Sequence, residues 1–392
     1  MESYARHRVA ISSMRYLLKT NHRQRGSMPT MKIPLSFACL IFIAQLSAQT
    51  SGPAIDWAKA KALYQREQRG DKLTDGEQAY LDQAKEQRRK GGGGQSAGPL
   101  RQAPASLTPL CDLGADAAYQ GQEGGLYGKG LNTPPAPLVE LAQTALSTVV
   151  PRNSAGEPAA DGRIALVSIS MSNATMEFST FKQIADADSR KSASLTIIDC
   201  AQGGQAMAEW VPPDGGPWKE AMNRLERAKI SPAQVQVAWI KLANKGPSGS
   251  MADHLGKLET DTIAVLQNAR TRFPNLRIAY LGSRIWAGNA NSALNPEPYA
   301  FESAFAVRDL IQRQLAKDPS LAPDKVPLLL WGPYLWAQGE KGRKIDDLKW
   351  LPEDFNTDGV HPSASGRAKV AHLLLEHFAT DPLAKSWFTG KP

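Results

Sequence analysis

The residues best suited to chemistry stand in a few short stretches. The densest is NTDGVHPSASG, where Asp358 and His361 are three apart, Gly359 lies between them and Pro362 follows directly. A histidine that takes a proton from a nucleophile needs an acid to fix its tautomer and to stabilise the imidazolium it becomes. Asp-x-x-His in a turn either joins the two locally or sends both toward one cleft. Of the four histidines in residues 49–392, His254, His372 and His377 sit in helical patterns and read as surface or packing groups. That leaves His361 placed like a catalytic base. Upstream, SISMSNATMEF puts Ser172 and Asn173 between an apolar run and a helical pattern. A serine there presents its hydroxyl beside helix amides that favour developing negative charge. The plainer alternative is that Ser172 or Asn173 caps the helix. In DCAQGGQ, Gly203 and Gly204 let a backbone amide approach a ligand, or simply form a loop. Asn244, in KLAN, offers an amide to the same space or is a solvated loop residue. Arg284, in GSRIWAG, is a candidate substrate contact that a surface salt bridge would explain equally well.

These residues follow apolar runs that alternate with helical patterns. Runs over 164–169, 195–198, 235–242, 276–281 and 326–331 read as strands. Helical patterns are expected over 175–187, 218–229, 254–272, 299–317 and 363–378. Five buried-looking strands alternating with helices predict an α/β domain with a parallel sheet covered on both faces. In such sheets ligands bind beyond the carboxyl ends of the strands, which is where the residues above lie.

The 392-residue chain also carries appendages. Residues 31–48 (MKIPLSFACLIFIAQLSA) pair a lysine with an apolar run over 33–46 and small residues at its end, the pattern of a secretory signal peptide. The run is shorter than the roughly 20 residues of a membrane span, so no stable membrane insertion is expected once it is cleaved. Residues 1–30 read as a non-structural extension or a mis-assigned start. Residues 49–90 read as a helical hairpin, with Thr74 and Glu77 spaced as a capping box. Residues 91–107, opening GGGGQSAGPL, read as a flexible linker. Residues 108–161 read as a looped lead-in to a domain over 162–392. Within that domain and its lead-in, Cys111 and Cys200 suit a disulfide or two free thiols. The net charge of +8 is concentrated at the start: residues 1–48 hold seven basic side chains and one acid. The nearly neutral remainder gives no electrostatic case for a nucleic-acid partner.

The order Ser172, Gly203, Asn244, then Asp358 with His361, resembles the SGNH (GDSL-type) hydrolase superfamily. The resemblance covers roughly residues 160–380, and DGVHPSASG is its most specific block. The serine block departs from the family pattern, with Ser170-Met171 where Gly-Asp is usual and Asn173 following. The third block reads Leu-Ala-Asn-Lys where Gly-x-Asn-Asp is usual, which makes Lys241 a competing polar group beside Asn244. The resemblance implies a flavodoxin-like three-layer α/β/α sandwich and ester hydrolysis without metal or cofactor. Ser172 would be the nucleophile, His361 its base and Asp358 the orienting acid. The amides of Ser172 and Gly203 and the side chain of Asn244 would form the oxyanion hole. A secreted or periplasmic esterase of this kind points to a small-molecule or polysaccharide ester, most simply an acetyl ester on a carbohydrate. Trp210, Trp218, Trp286, Trp331, Trp336 and Trp350 offer ring faces for sugars, with packing as the competing reading. The altered blocks motivate an alternative from another class, a non-catalytic carbohydrate- or envelope-binding protein on a degenerate hydrolase fold.

Overall fold

The computed structural model describes residues 55–68, 72–90, 101–104 and 106–391. The expected signal peptide, the extension before it and most of the Gly-rich stretch lie outside these residues. The chain divides into two compact units, Met1–Lys90 and Gly91–Pro392. In the first, α1 (Trp57–Gln68) and α2 (Asp75–Lys90) pack through Ile55, Ala60 and Ala84. The Thr74 amide donates to Glu77 Oε2 at 2.9 Å and the Glu77 amide to Thr74 Oγ1 at 3.3 Å, so two orphan donors of α2 are satisfied reciprocally.

The second unit opens with a segment bonded onto the domain. Arg101 Nη1 donates to Glu302 at 2.8 Å and the Leu107 amide to Gln338 at 3.0 Å, so the end of the expected linker is fastened down. A two-residue hairpin, β1 (Ala118–Tyr119) and β2 (Gln122–Glu123), follows. The helix α3 (Ala136–Leu146) then buries Leu138 and Ala142, one helical turn apart.

The sheet consists of β3 (Ile164–Ser170), β4 (Leu195–Ile198), β5 (Val235–Lys241), β6 (Ile278–Leu281) and β7 (Leu328–Trp331). All pairings are parallel and the order is β4-β3-β5-β6-β7. Every residue of β3, β5 and β6 is buried, as expected of strands covered on both faces. From β3 the chain runs through α4 (Ser172–Asp186) outward to β4. It returns through α5 (Met207–Trp210) and α6 (Gly216–Arg227) to β5. It then continues in that same direction through α7 (Met251–Arg272) to β6 and α8 (Tyr299–Leu315) to β7. Right-handed crossovers in opposite directions place α4 on one face and α6, α7 and α8 on the other. The closing helix α9 (Ala364–Thr380) packs against α4, and α10 (Lys385–Thr389) packs on α9. This is the three-layer α/β/α arrangement, with the flavodoxin-type strand order and its direction change between β3 and β5.

Candidate active site

The direction change leaves a crevice beyond the carboxyl ends of β3 and β5. Register sets the levels there: Ser170 pairs with Lys241, and Ile240 with Leu281. Ser172, Asn244 and Arg284 therefore stand two or three residues past the ends of three adjacent strands. Ser172 is the first residue of α4; Met171 is its N-cap and no side chain caps the helix. The capping alternative for Ser172 and Asn173 is thus not what the fold uses. Instead Ser172 Oγ lies 2.7 Å from His361 Nε2. Asp199, just past β4, ties the start of α4 to β3: Thr175 Oγ1 and Ser168 Oγ each donate to it at 2.5 Å. Burial raises the Asp199 carboxyl to about 6 against the pull of those hydroxyls.

His361 is held by a turn that the sequence builds locally. Its Nδ1 lies 2.6 Å from Asp358 Oδ2, while Asp358 Oδ1 accepts the amides of His361 at 2.9 Å and Val360 at 3.0 Å. Partial burial works against the Asp358 charge, but these bonds outweigh it and hold the carboxyl at about 2. The turn is pinned behind by bonds from the Asn356 amide to the His361 carbonyl at 2.8 Å and from the Ser363 amide to the Asp354 carbonyl at 2.8 Å. Ser363 is the N-cap of α9 and accepts the Gly366 amide. Both glycines of the block are needed. A Cβ on Gly359, at φ +67°, would come within 1.9 Å of the Asn289 carbonyl, and one on Gly366 within 2.2 Å of the Asp354 carbonyl.

The other candidates divide. Asn244 is buried, its Nδ2 has no hydrogen-bond partner, and its carbonyl accepts Asn295 Nδ2 at 3.2 Å. Gly203 precedes Gly204, which adopts φ +78°, in a turn closed by the Gln205 amide on the Gln202 carbonyl at 3.3 Å. That turn is tied toward the others, because the Gln202 amide bonds the Ser170 carbonyl and the Met207 amide the Ala243 carbonyl, each at 3.1 Å. Lys241 is not brought into the crevice. It is fully buried and its ammonium is bound to the equally buried Glu177. Desolvation lowers the lysine to about 8 despite that partner. Arg284 is buried and has no salt bridge among the described residues, so the surface-pair explanation does not apply. Of the six tryptophans only Trp286 keeps appreciable exposure; the rest are packing residues. Cys111 and Cys200 are both buried free thiols.

Sequence reasoning passed over Glu177 and the loop after β6. Glu177 has one available signal, an acid set between the buried apolar positions Ala174 and Phe178. The loop after β6 joins the two halves of the site. Asn295 bonds the Asn244 carbonyl, while Asn291 Nδ2 donates to the Thr357 carbonyl at 2.9 Å and its amide to the Asp358 carbonyl at 3.2 Å.

Chemically, the arrangement supplies a hydroxyl in line with an imidazole and a carboxylate. An unpaired amide donor stands beyond the neighbouring strand end. No protein-family model matches the chain, and no curated protein matches it in sequence. Among solved structures, it is similar to a "putative acylhydrolase" from Bacteroides fragilis NCTC 9343, at 13% identity and TM-score 0.34, covering 64% of this chain and 100% of that one. It is also similar to the salicylyl-acyltransferase SsfX3 from a tetracycline biosynthetic pathway, at 16% identity and TM-score 0.30. That match covers 58% of each chain, so this protein spans little more than half of the acyltransferase's length. At such scores the likeness carries no functional weight, which rests on the site itself.

Proposed function

We propose that the protein is a serine hydrolase of acyl esters, of the SGNH kind, with Ser172, His361 and Asp358 as its triad. The observation that carries this reading is the continuous relay from Ser172 Oγ to His361 Nε2 at 2.7 Å and from His361 Nδ1 to Asp358 at 2.6 Å. In the reaction His361 takes the hydroxyl proton as Ser172 Oγ bonds to the ester carbonyl carbon. The carbonyl electron pair moves onto oxygen, where the Ser172 and Gly203 amides and Asn244 Nδ2 receive it. Collapse expels the alcohol, which leaves with the proton from His361. Water, deprotonated by the same imidazole, then releases the acid and restores the serine.

An acetyl ester on a carbohydrate is the proposed substrate, and a signal peptide over residues 31–48 would place the enzyme outside the cytoplasm. The decisive assay is hydrolysis of 4-nitrophenyl acetate by residues 49–392 beside Ser172→Ala and His361→Ala. Turnover that both substitutions abolish is the expected result. Turnover that survives Ser172→Ala overturns the choice of nucleophile, and equal inactivity of all three favours the binding-protein alternative. N-terminal sequencing of exported protein tests the cleavage site.

A further inference from the structure

Four arginines are buried among the described residues: Arg152, Arg284, Arg308 and Arg343. Three have an acceptor on every guanidinium nitrogen. Arg152 reaches Gln236, the Gly156 carbonyl and the Thr148 carbonyl at 2.8 to 3.2 Å. Arg308 reaches Asp309, the Glu123 carbonyl and Gln122 at 2.5 to 3.2 Å. Arg343 reaches both oxygens of Asp346 and the Tyr334 carbonyl. Arg284 has none. It is 3% exposed, its Nε and Nη1 are sealed without partners, and Nη2, also without an acceptor, is the nitrogen that keeps access to solvent.

A buried cation without hydrogen bonds is costly, and proteins keep such a group where something else completes it. The nearby acids do not. Glu177 lies within electrostatic reach but holds Lys241, and its second oxygen is unpaired without meeting the guanidinium. Glu297 is occupied by the Ala287 and Phe301 amides at 2.9 Å and Trp336 Nε1 at 2.7 Å. Burial lowers the Arg284 pKa only to about 10, which leaves it charged at neutral pH. Beside it in the chain, Ser283 Oγ is buried without a partner, and so is Asn244 Nδ2 on the adjacent strand end. Two residues on stands Trp286, which keeps part of its ring exposed.

We propose that Arg284, through its open Nη2, forms a subsite for a carboxylate carried by the substrate, so that the ester cleaved at Ser172 belongs to an acidic molecule. The one guanidinium nitrogen open to solvent, Nη2, offers a charged donor to a carboxylate oxygen, which a neutral acetyl sugar would leave unused. This inference rests on the esterase reading for its reaction but not for its test. The carboxylate belongs to the alcohol half, as in a uronic acid, or to the acyl half, as in a dicarboxylic monoester.

The test is calorimetric binding and thermal shift on the Ser172→Ala chain with glucuronate, glutarate and, as a neutral control, glucose. The expected result is that one carboxylate binds and raises the melting temperature while glucose does not, and which one binds identifies the half. Arg284→Gln should weaken that binding at least about tenfold, and Arg284→Lys, which keeps the charge on a differently shaped head group, should restore only part of it. If Arg284→Gln fails to fold, competition between the carboxylate and its uncharged amide on the unaltered arginine decides. Equal binding of charged and uncharged ligands, or no carboxylate binding at all, overturns the subsite. Carboxylate binding without esterase activity would sink the reaction and leave the subsite standing.

Discussion

The turn that carries His361 and the strand ends that carry Asn244 and Arg284 border the same crevice, yet their hydrogen bonding is opposite. In the turn the groups are satisfied: both oxygens of Asp358 are engaged, as are both nitrogens of His361. Past β5 and β6, Asn244 Nδ2, Ser283 Oγ and two nitrogens of Arg284 are buried and idle. The contrast follows from the two tasks the proposal assigns. A proton relay works only if its tautomer and distances are fixed before substrate arrives. Donors meant for charge that appears later must stay unpaired until then, at a standing cost in stability.

Experiments can break that contrast, starting on the satisfied side. Ser172→Ala or His361→Ala should lower kcat by about 10⁴- to 10⁶-fold, and the double substitution should cost little more, because the groups act as a unit. Asp358→Asn should cost about 10⁴-fold by disturbing the tautomer while leaving the fold intact, checked by kcat beside circular dichroism. Beneath the crevice, Lys241→Met should destabilise the fold by about 3–5 kcal/mol in urea titration, since Glu177 is left buried without its ion-pair partner. Adding Glu177→Leu should recover much of that loss. On the idle side, Asn244→Ala should lower kcat by about 10²- to 10³-fold with KM little changed. A fall in KM-dependent affinity alone would remove Asn244 from the oxyanion hole. The smallest effect is in pH. The folded Asp358 carboxyl sits at about 2, below the roughly 3.9 of an unfolded aspartate, so its contribution to stability is complete above pH 4 and lost as pH falls toward 2. The melting-temperature gap between the native chain and Asp358→Asn should close over that window.

The reach of the sequence depended on whether an interaction was local. All five apolar runs became strands, because strands covered on both faces are predominantly apolar. Only their edges moved, as where the fourth run gave a strand at Ile278–Leu281. The helix Ala136–Leu146 fell inside a stretch read as loop, although Leu138 and Ala142 carried its signal. Asp358 and His361, three apart, could be read as a pair, and the structure sets them 2.6 Å apart. Lys241 and Glu177 lie 64 positions apart, and their bond depends on strand register and helix phase. Lys241 therefore looked like a free polar group. Arg284 was legible as a position past a strand; that it lacks partners is a property of everything around it.

Under the proposed mechanism, the order of the chain also governs when activity can begin. Ser172 is made early, and its proposed base comes 189 residues later. The helix after that base, α9, lies directly on α4, which begins with Ser172. A growing polypeptide can complete most of the sheet and still be inert. Activity would then start only when the last long helix docks, and the appearance of turnover during refolding would be a clock for that docking step. Parallel pairing over long sequence separations makes such a clock slow.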